Sequence, residues 1–406
     1  MMRESRLLRA LLISVISVVL MHHHALAATV PGCHANVARY DISVPGHPFK
    51  VADALNGAWA FASVNSSAPT SPNGIAVLRC QGGRYKLSHF VSLEAAPTGF
   101  AMTHDGTLLV VADDGFVAFV DTAAAIAGQA AISGYIQDLE GAVEDNDPGS
   151  VYVNVSPDDR FAFVSDEQNQ SITVIDLVKA RASHFARTSI VGQIPVANAP
   201  IALTFSADGR YLFTTSEIAR KSYKWPIMCK PEGAPQTATP ENPAGAILTV
   251  DVLKAETDPA HSVIGKTPSD CSPVRMALSP DGSTVWVSNR GSNSVTVFAT
   301  GKLIFGDAGA KIAGIQVGSN PVAIAATADG RYVLAANTNR FGPGGTGPGT
   351  LSVIDASTHA VVGTIEVGIF PREFSQGLGT TLFLANDRSD TITVFDTSRL
   401  NELIKR

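Results

Sequence analysis

The strongest constraint on this chain is a segment that returns at a nearly fixed interval. The stretch ALSPDGSTVWVSNRGSNSVTVF (277–298) sets an Asp-Gly between two apolar runs, and a third run follows a polar gap. Close relatives are PTGFAMTHDGTLLVVAD (97–113), SVYVNVSPDDRFAFVSD (150–166), PIALTFSADGRYLFTTSE (200–217) and PVAIAATADGRYVLAAN (321–337). Weaker copies are PFKVADALNGAWAFASVN (48–65) and PREFSQGLGTTLFLAN (371–386). The turn positions are Asn56, Asp105, Asp158, Asp208, Asp281, Asp329 and Gly379, at intervals of 49, 53, 50, 73, 48 and 50 residues. Self-similarity at such a period marks a repeat architecture.

Each copy continues into a third apolar run, such as SITVIDL or TITVFD, and several add a fourth, such as AVVGTIEVG (360–368). The unit is therefore four antiparallel strands, a to d, with the Asp-Gly reading as a tight a–b hairpin. A sheet of this kind cannot bury both faces alone. Repetition around an axis solves that, which predicts an all-β fold, a seven-bladed β-propeller; the period is too short for tandem sandwiches. The last copy lacks a fourth strand, whereas RYDISVPGHP (39–48) resembles TIEVGIFP (364–371). The N-terminal strand is thus expected to complete blade 7 and close the ring. A short helix is expected from Ser398.

Strand direction sorts the loops. With strand a descending from a top face, b–c and d–a loops lie above and a–b and c–d loops below. Cys229, in a long b–c insertion of blade 4 (219–245), and Cys271, before Pro273, both fall on top of neighbouring blades. Cys80 and Cys33 both fall below, at blades 1 and 7. The pairing Cys33–Cys80 and Cys229–Cys271 follows. A lipid-modified Cys33 is the competing idea, with Pro31 between it and the apolar run.

Residues 1–27 read as a leader: Arg3, Arg6 and Arg9, the apolar run 10–21, then Ala25-Leu26-Ala27 as a small-residue cleavage site. Export and an even cysteine count agree. A secreted or periplasmic monomer is expected. The net charge is −6, the charged fraction is only 16%, and no run of Lys or Arg follows the leader, so nucleic acid is not an expected partner. No later apolar stretch reaches the roughly 20 residues of a spanning helix.

Function on such a scaffold belongs to the loops around the channel mouth. The b–c loops offer Asn65, Asp113, Asp114, Asp166, Glu167, Glu217, Arg220, Lys221, Asn289, Arg290, Asn337, Arg340, Asn386 and Arg388, with acids on blades 2 to 4 and arginines on blades 4 to 7. A second set is Lys50, Tyr152, Arg275 and Glu373, two residues into strand a. They break a pattern of small residues and are expected to line the upper channel, where Lys50 and Glu373 can also simply pair. The ligand-binding candidates are Lys50, Tyr152, Asp166, Asn289, Arg290, Arg340, Glu373 and Arg388, for an unknown small molecule or protein on the top face. No metal or cofactor is expected. The run 342–347 matches G-x-G-x-x-G but leads into a strand, so it lacks the helix N-terminus that a phosphate cradle needs.

With VWVSN, FLAN and DGRYV in its copies, the chain resembles the YVTN-type propellers over residues 40–397. These sit among the lactonase-like seven-bladed propellers, with the 6-phosphogluconolactonases and muconate cyclases. The resemblance implies a lactonase role for Glu217 at the end of strand b in blade 4. The lactonase branch also carries His and Arg near the start of strand a in the middle blades, where this chain has Val151 and Tyr152, and Ile201 and Ala202. Two functions are carried forward. One is a binding or scaffold module of the top face. The other is a lactone hydrolase using Glu217 and Arg275.

Overall fold

The computed structural model describes residues 33–34, 36–66, 72–137, 149–235, 237–341 and 346–405. The leader and residues 342–345 of the glycine run lie outside them. Seven four-stranded antiparallel sheets follow one another along the chain. Blade 5 is typical: strands Pro273–Leu278, Thr284–Asn289, Ser294–Ala299 and Lys311–Gln316 pair in sequence order. In blade 7 the fourth strand is Arg39–Ser43, which pairs with Thr391–Asp396 from Arg39↔Phe395 to Ser43↔Thr391. The ring is closed as the sequence predicts. The tail forms a 3-10 helix, Thr397–Glu402.

The core is built between blades rather than within them. Val51, Phe100, Val153, Leu203, Met276, Ile324 and Phe374, three residues past the proline position of each copy, are all buried. Phe61 and Val77 of blade 1 pack with Phe100 and Leu109 of blade 2. Leu334 and Leu351 of blade 6 pack with Phe374 and Leu384 of blade 7. The inner strands of each sheet thus use both faces, which explains why they are apolar nearly throughout, whereas the outer strand, such as Lys311–Gln316, is largely exposed.

The Asp-Gly pairs do not sit in two-residue hairpins. In blade 5 the connection spans residues 279–283, and Asp281 Oδ1 accepts from Ser279 Oγ at 2.5 Å and Ser283 N at 3.0 Å. Gly282 takes the left-handed position at φ 71°, so the favoured turn is a longer one capped by the aspartate. Blade 3 has Asp159 there, at φ 59°. Its carboxylate accepts from His104 N and Asp105 N at 2.7 and 2.9 Å, tying the turns of blades 2 and 3.

Both disulfides form as strand direction predicts. Cys33–Cys80 and Cys229–Cys271 have Cα separations of 5.9 and 5.5 Å. The first fixes the closing strand, helped by the Tyr40 hydroxyl, which donates to Cys33 O. The second pins the blade 4 insertion, whose Ile227–Cys229 and Asn242–Pro243 form a small ribbon. No helix among the described residues is long and apolar enough to cross a membrane.

Candidate functional site

Every innermost strand shifts register just past its first residues, for example between Pro48 and Val51, Pro273 and Arg275, and Pro371 and Glu373. Such bulges re-aim side chains, and here they turn a layer of them onto the axis. Lys50, Tyr152, Arg275 and Glu373, from blades 1, 3, 5 and 7, meet there. The Lys50 ammonium donates to the Tyr152 hydroxyl at 2.7 Å and lies 3.4 Å from Glu373 Oε1. Tyr152 donates to the same Oε1 at 2.9 Å, and Arg275 Nε binds Oε2. Burial alone would raise the Glu373 carboxyl, but Arg275 and Lys50 together hold it below its usual value. Above them Phe49, Val151, Ile201, Val274 and Val322 are buried in one apolar cluster. Arg275 and Arg372 lie over the Phe49 ring.

A second constellation lies on the top face. Glu217, on strand b of blade 4 (Tyr211–Ile218), accepts from Arg290 Nη2 at 2.7 and 2.8 Å through its two oxygens. Arg290 opens the b–c loop of blade 5, and its Nε binds Glu232 of the blade 4 insertion. Burial pushes the Glu217 carboxyl up to about 7; Arg290 opposes the shift, while Glu232 and Glu167 add to it. Arg340 is lowered by burial and then by the nearby Arg290. Its guanidinium lies over Phe341 and Phe370, and Arg388 covers Phe370 as well. The result is a carboxyl that titrates near neutrality between guanidinium groups, with side-chain exposures of 14% for Glu217 and 12% for Arg290.

The structure does not bring Glu217 and Arg275 into contact. Arg275 is committed to Glu373 on the axis, whereas Glu217 faces Arg290. Asn289 is fully buried, its amide engaged by Ser269 Oγ at 2.7 Å and Thr296 Oγ1 at 2.9 Å. Asn386 bonds Thr393 in the same way. This asparagine is therefore a connector between strands b and c within a blade. Asp166 is also buried and accepts from Asn169 N and Nδ2, capping its own loop.

Residues 249–340 match the family model "Lactonase, 7-bladed beta-propeller". A candidate 6-phosphogluconolactonase from Bacteroides fragilis NCTC 9343 superposes with a TM-score of 0.57, at 17% identity over 78% of this chain and 83% of that one. The chain is a seven-bladed propeller, and its segment 249–340 is similar to the lactonase propellers. No curated protein matches it.

The matched segment holds Arg275, Arg290 and Arg340 but begins beyond Glu217 and Glu232, which the fold brings up from blade 4. Glu232 escaped the sequence reading because its place depends on how the insertion folds back. The Cys229–Cys271 bridge, three residues away, was the available signal. Asp53 was missed too. It is a buried carboxyl on strand a of blade 1 (His47–Asp53), accepting from Tyr85 Oη at 2.7 Å and Leu378 N at 2.8 Å, with burial pushing it up to about 6.

Proposed function

We propose that the chain is a lactone hydrolase whose site is the top-face cluster of Glu217, Arg290 and Arg340. The observation that carries this reading is Glu217 itself: a carboxyl raised to about 7 and flanked by guanidinium groups. The lactonase family match and the likeness to a candidate 6-phosphogluconolactonase support it. In the reaction, the Glu217 carboxylate takes a proton from water as the oxygen bonds to the lactone carbonyl carbon. A guanidinium stabilises the negative oxygen that develops. The carbon–oxygen bond of the ring then breaks, and the proton passes from Glu217 to the leaving oxygen, giving a hydroxy acid. Arg340, stacked rather than salt-bridged in the contacts described, is placed to hold an anionic substituent of the substrate.

Glu217 acts as the base in its ionised form, so the rate rises with pH through about 7. The charge on the substrate is tested by comparing 6-phosphogluconolactone with uncharged gluconolactone. Arg340→Gln raises KM for the phosphorylated lactone and leaves the uncharged one nearly unchanged. Equal KM effects on both would remove Arg340 from anion binding.

A non-catalytic top-face binding module is the second reading. One contact favours it: Arg290 is held between Glu217 and Glu232, so these side chains are engaged with one another rather than left open to a substrate. In either case the two disulfides favour an oxidising compartment, secreted or periplasmic.

A further inference from the structure

The channel is a second chamber, separate from the top-face cluster. A cavity of about 300 Å³ lies below the axial charge layer. Its walls are the descending parts of strand a in blades 7, 1, 2 and 3, from Lys50 to Asp53, Phe100 to Met102, Tyr152 to Asn154 and Ser375 to Leu378. These residues follow the axial layer toward the a–b turns, so the chamber faces the bottom of the propeller. The apolar cluster around Phe49 caps the layer from above.

The charges at its roof do not balance. Lys50 and Arg275 share the single carboxylate of Glu373, and Tyr152 is a neutral partner. Glu373 is the carboxylate that acts on Lys50 among its leading influences. One positive charge is left over in a buried place, where an uncompensated charge is costly. Arg275 takes one oxygen of Glu373, so the surplus sits on Lys50, which faces the cavity. Its ammonium has three protons and two described acceptors, Tyr152 Oη and Glu373 Oε1. The walls beneath are mixed. Val51, Phe100, Met102 and Val153 are apolar, Asn154 and Gln376 supply amides, and the one carboxyl of the lining, Asp53, is taken up by Tyr85 Oη and Leu378 N.

We infer that this lower chamber binds a short-chain organic carboxylate, its carboxylate on Lys50 and its carbon body against Phe100, Met102 and Val153. The volume is at the small end for ligand cavities, which selects a compact molecule. The apolar walls select a carboxylate with a carbon body over a bare inorganic anion. The chamber is distinct from the proposed hydrolytic site and does not depend on it.

Calorimetric titration of the full chain with 3-hydroxybutyrate tests this, with 3-hydroxybutyramide and inorganic phosphate as comparators. Saturable 1:1 binding of the carboxylate is expected, at least about tenfold tighter than the amide, since loss of a paired charge is worth that much or more, and tighter than phosphate, which has no carbon body for the apolar walls. Lys50→Met abolishes it. Met102→Trp, which fills the chamber without touching the charges, abolishes it as well and decides the matter if the Lys50 variant does not fold. Glu217→Gln leaves it intact, so failure of the hydrolytic reading and failure of this one are separable. Absence of saturable binding, equal binding of the amide or of phosphate, or binding that survives Met102→Trp would overturn the inference.

Discussion

Glu217 of blade 4 and Arg290 of blade 5 meet through two hydrogen bonds of 2.7 and 2.8 Å, across a blade boundary and at the rim of the channel. The pair joins the fold to its chemistry. Each residue ends a strand b or opens a b–c loop, and neither is needed to define the repeat.

The axial layer makes Glu373 a stability residue. Glu373→Gln leaves Lys50 and Arg275 buried with no carboxylate between them, and is expected to cost about 3–5 kcal/mol. Lys50→Met leaves one cation with one anion and is expected to be near neutral. Denaturant unfolding of the two variants checks the contrast. Because the folded Glu373 carboxyl lies below its unfolded value, its contribution is present above that value and is lost as pH falls through the folded one.

Asp53 has the opposite sign. Burial raises its carboxyl from 3.8 to about 6, against the bonds from Leu378 N and Tyr85 Oη. The folded state therefore holds this proton more tightly than the unfolded chain, and stability falls as pH rises from about 4 to 6. An Asn at this position keeps an acceptor oxygen and loses the charge. Asp53→Asn is expected to flatten that part of the curve and to melt higher than the parent at pH 7.5. Melting temperatures across pH 4–8 report it.

The two disulfides are expected to fail differently. Opening Cys33–Cys80 by double Ser substitution frees the closing strand of blade 7, with a loss of about 2–4 kcal/mol. Opening Cys229–Cys271 loosens the insertion that carries Glu232 to Arg290. Its larger effect should be on lactone kcat and KM, by loss of a fixed neighbour to Glu217. Parallel melting and rate measurements on both variants check the difference.

The repeat made the propeller, its closure and the disulfides legible, because strand alternation, turn residues and strand direction are local or follow from a known ring order. Asn289 shows where that logic fails. It stands at the rim in sequence register, yet its amide turns inward to Ser269 and Thr296. The axial layer was legible as a set of odd residues at one register position. The Lys50–Glu373 pair was legible too, but the part that Tyr152 and Arg275 take in it was not, because which side chains meet depends on bulges that the sequence does not mark. Glu232 lay in an insertion with no repeat to place it. The pairing of Arg275 with Glu373 instead of Glu217 follows from depth: Arg275 turns onto the axis at the start of strand a, while Glu217 stays at the end of strand b.

The most direct test of the account is the initial rate of 6-phosphogluconolactone hydrolysis by the full chain and by its Glu217→Gln variant, against buffer alone at pH 7.5. The account predicts turnover above the buffer rate and a fall on the order of 10²–10⁴ in the variant, the size of a lost general base. A rate equal to buffer, or a variant as active as the parent, would contradict it.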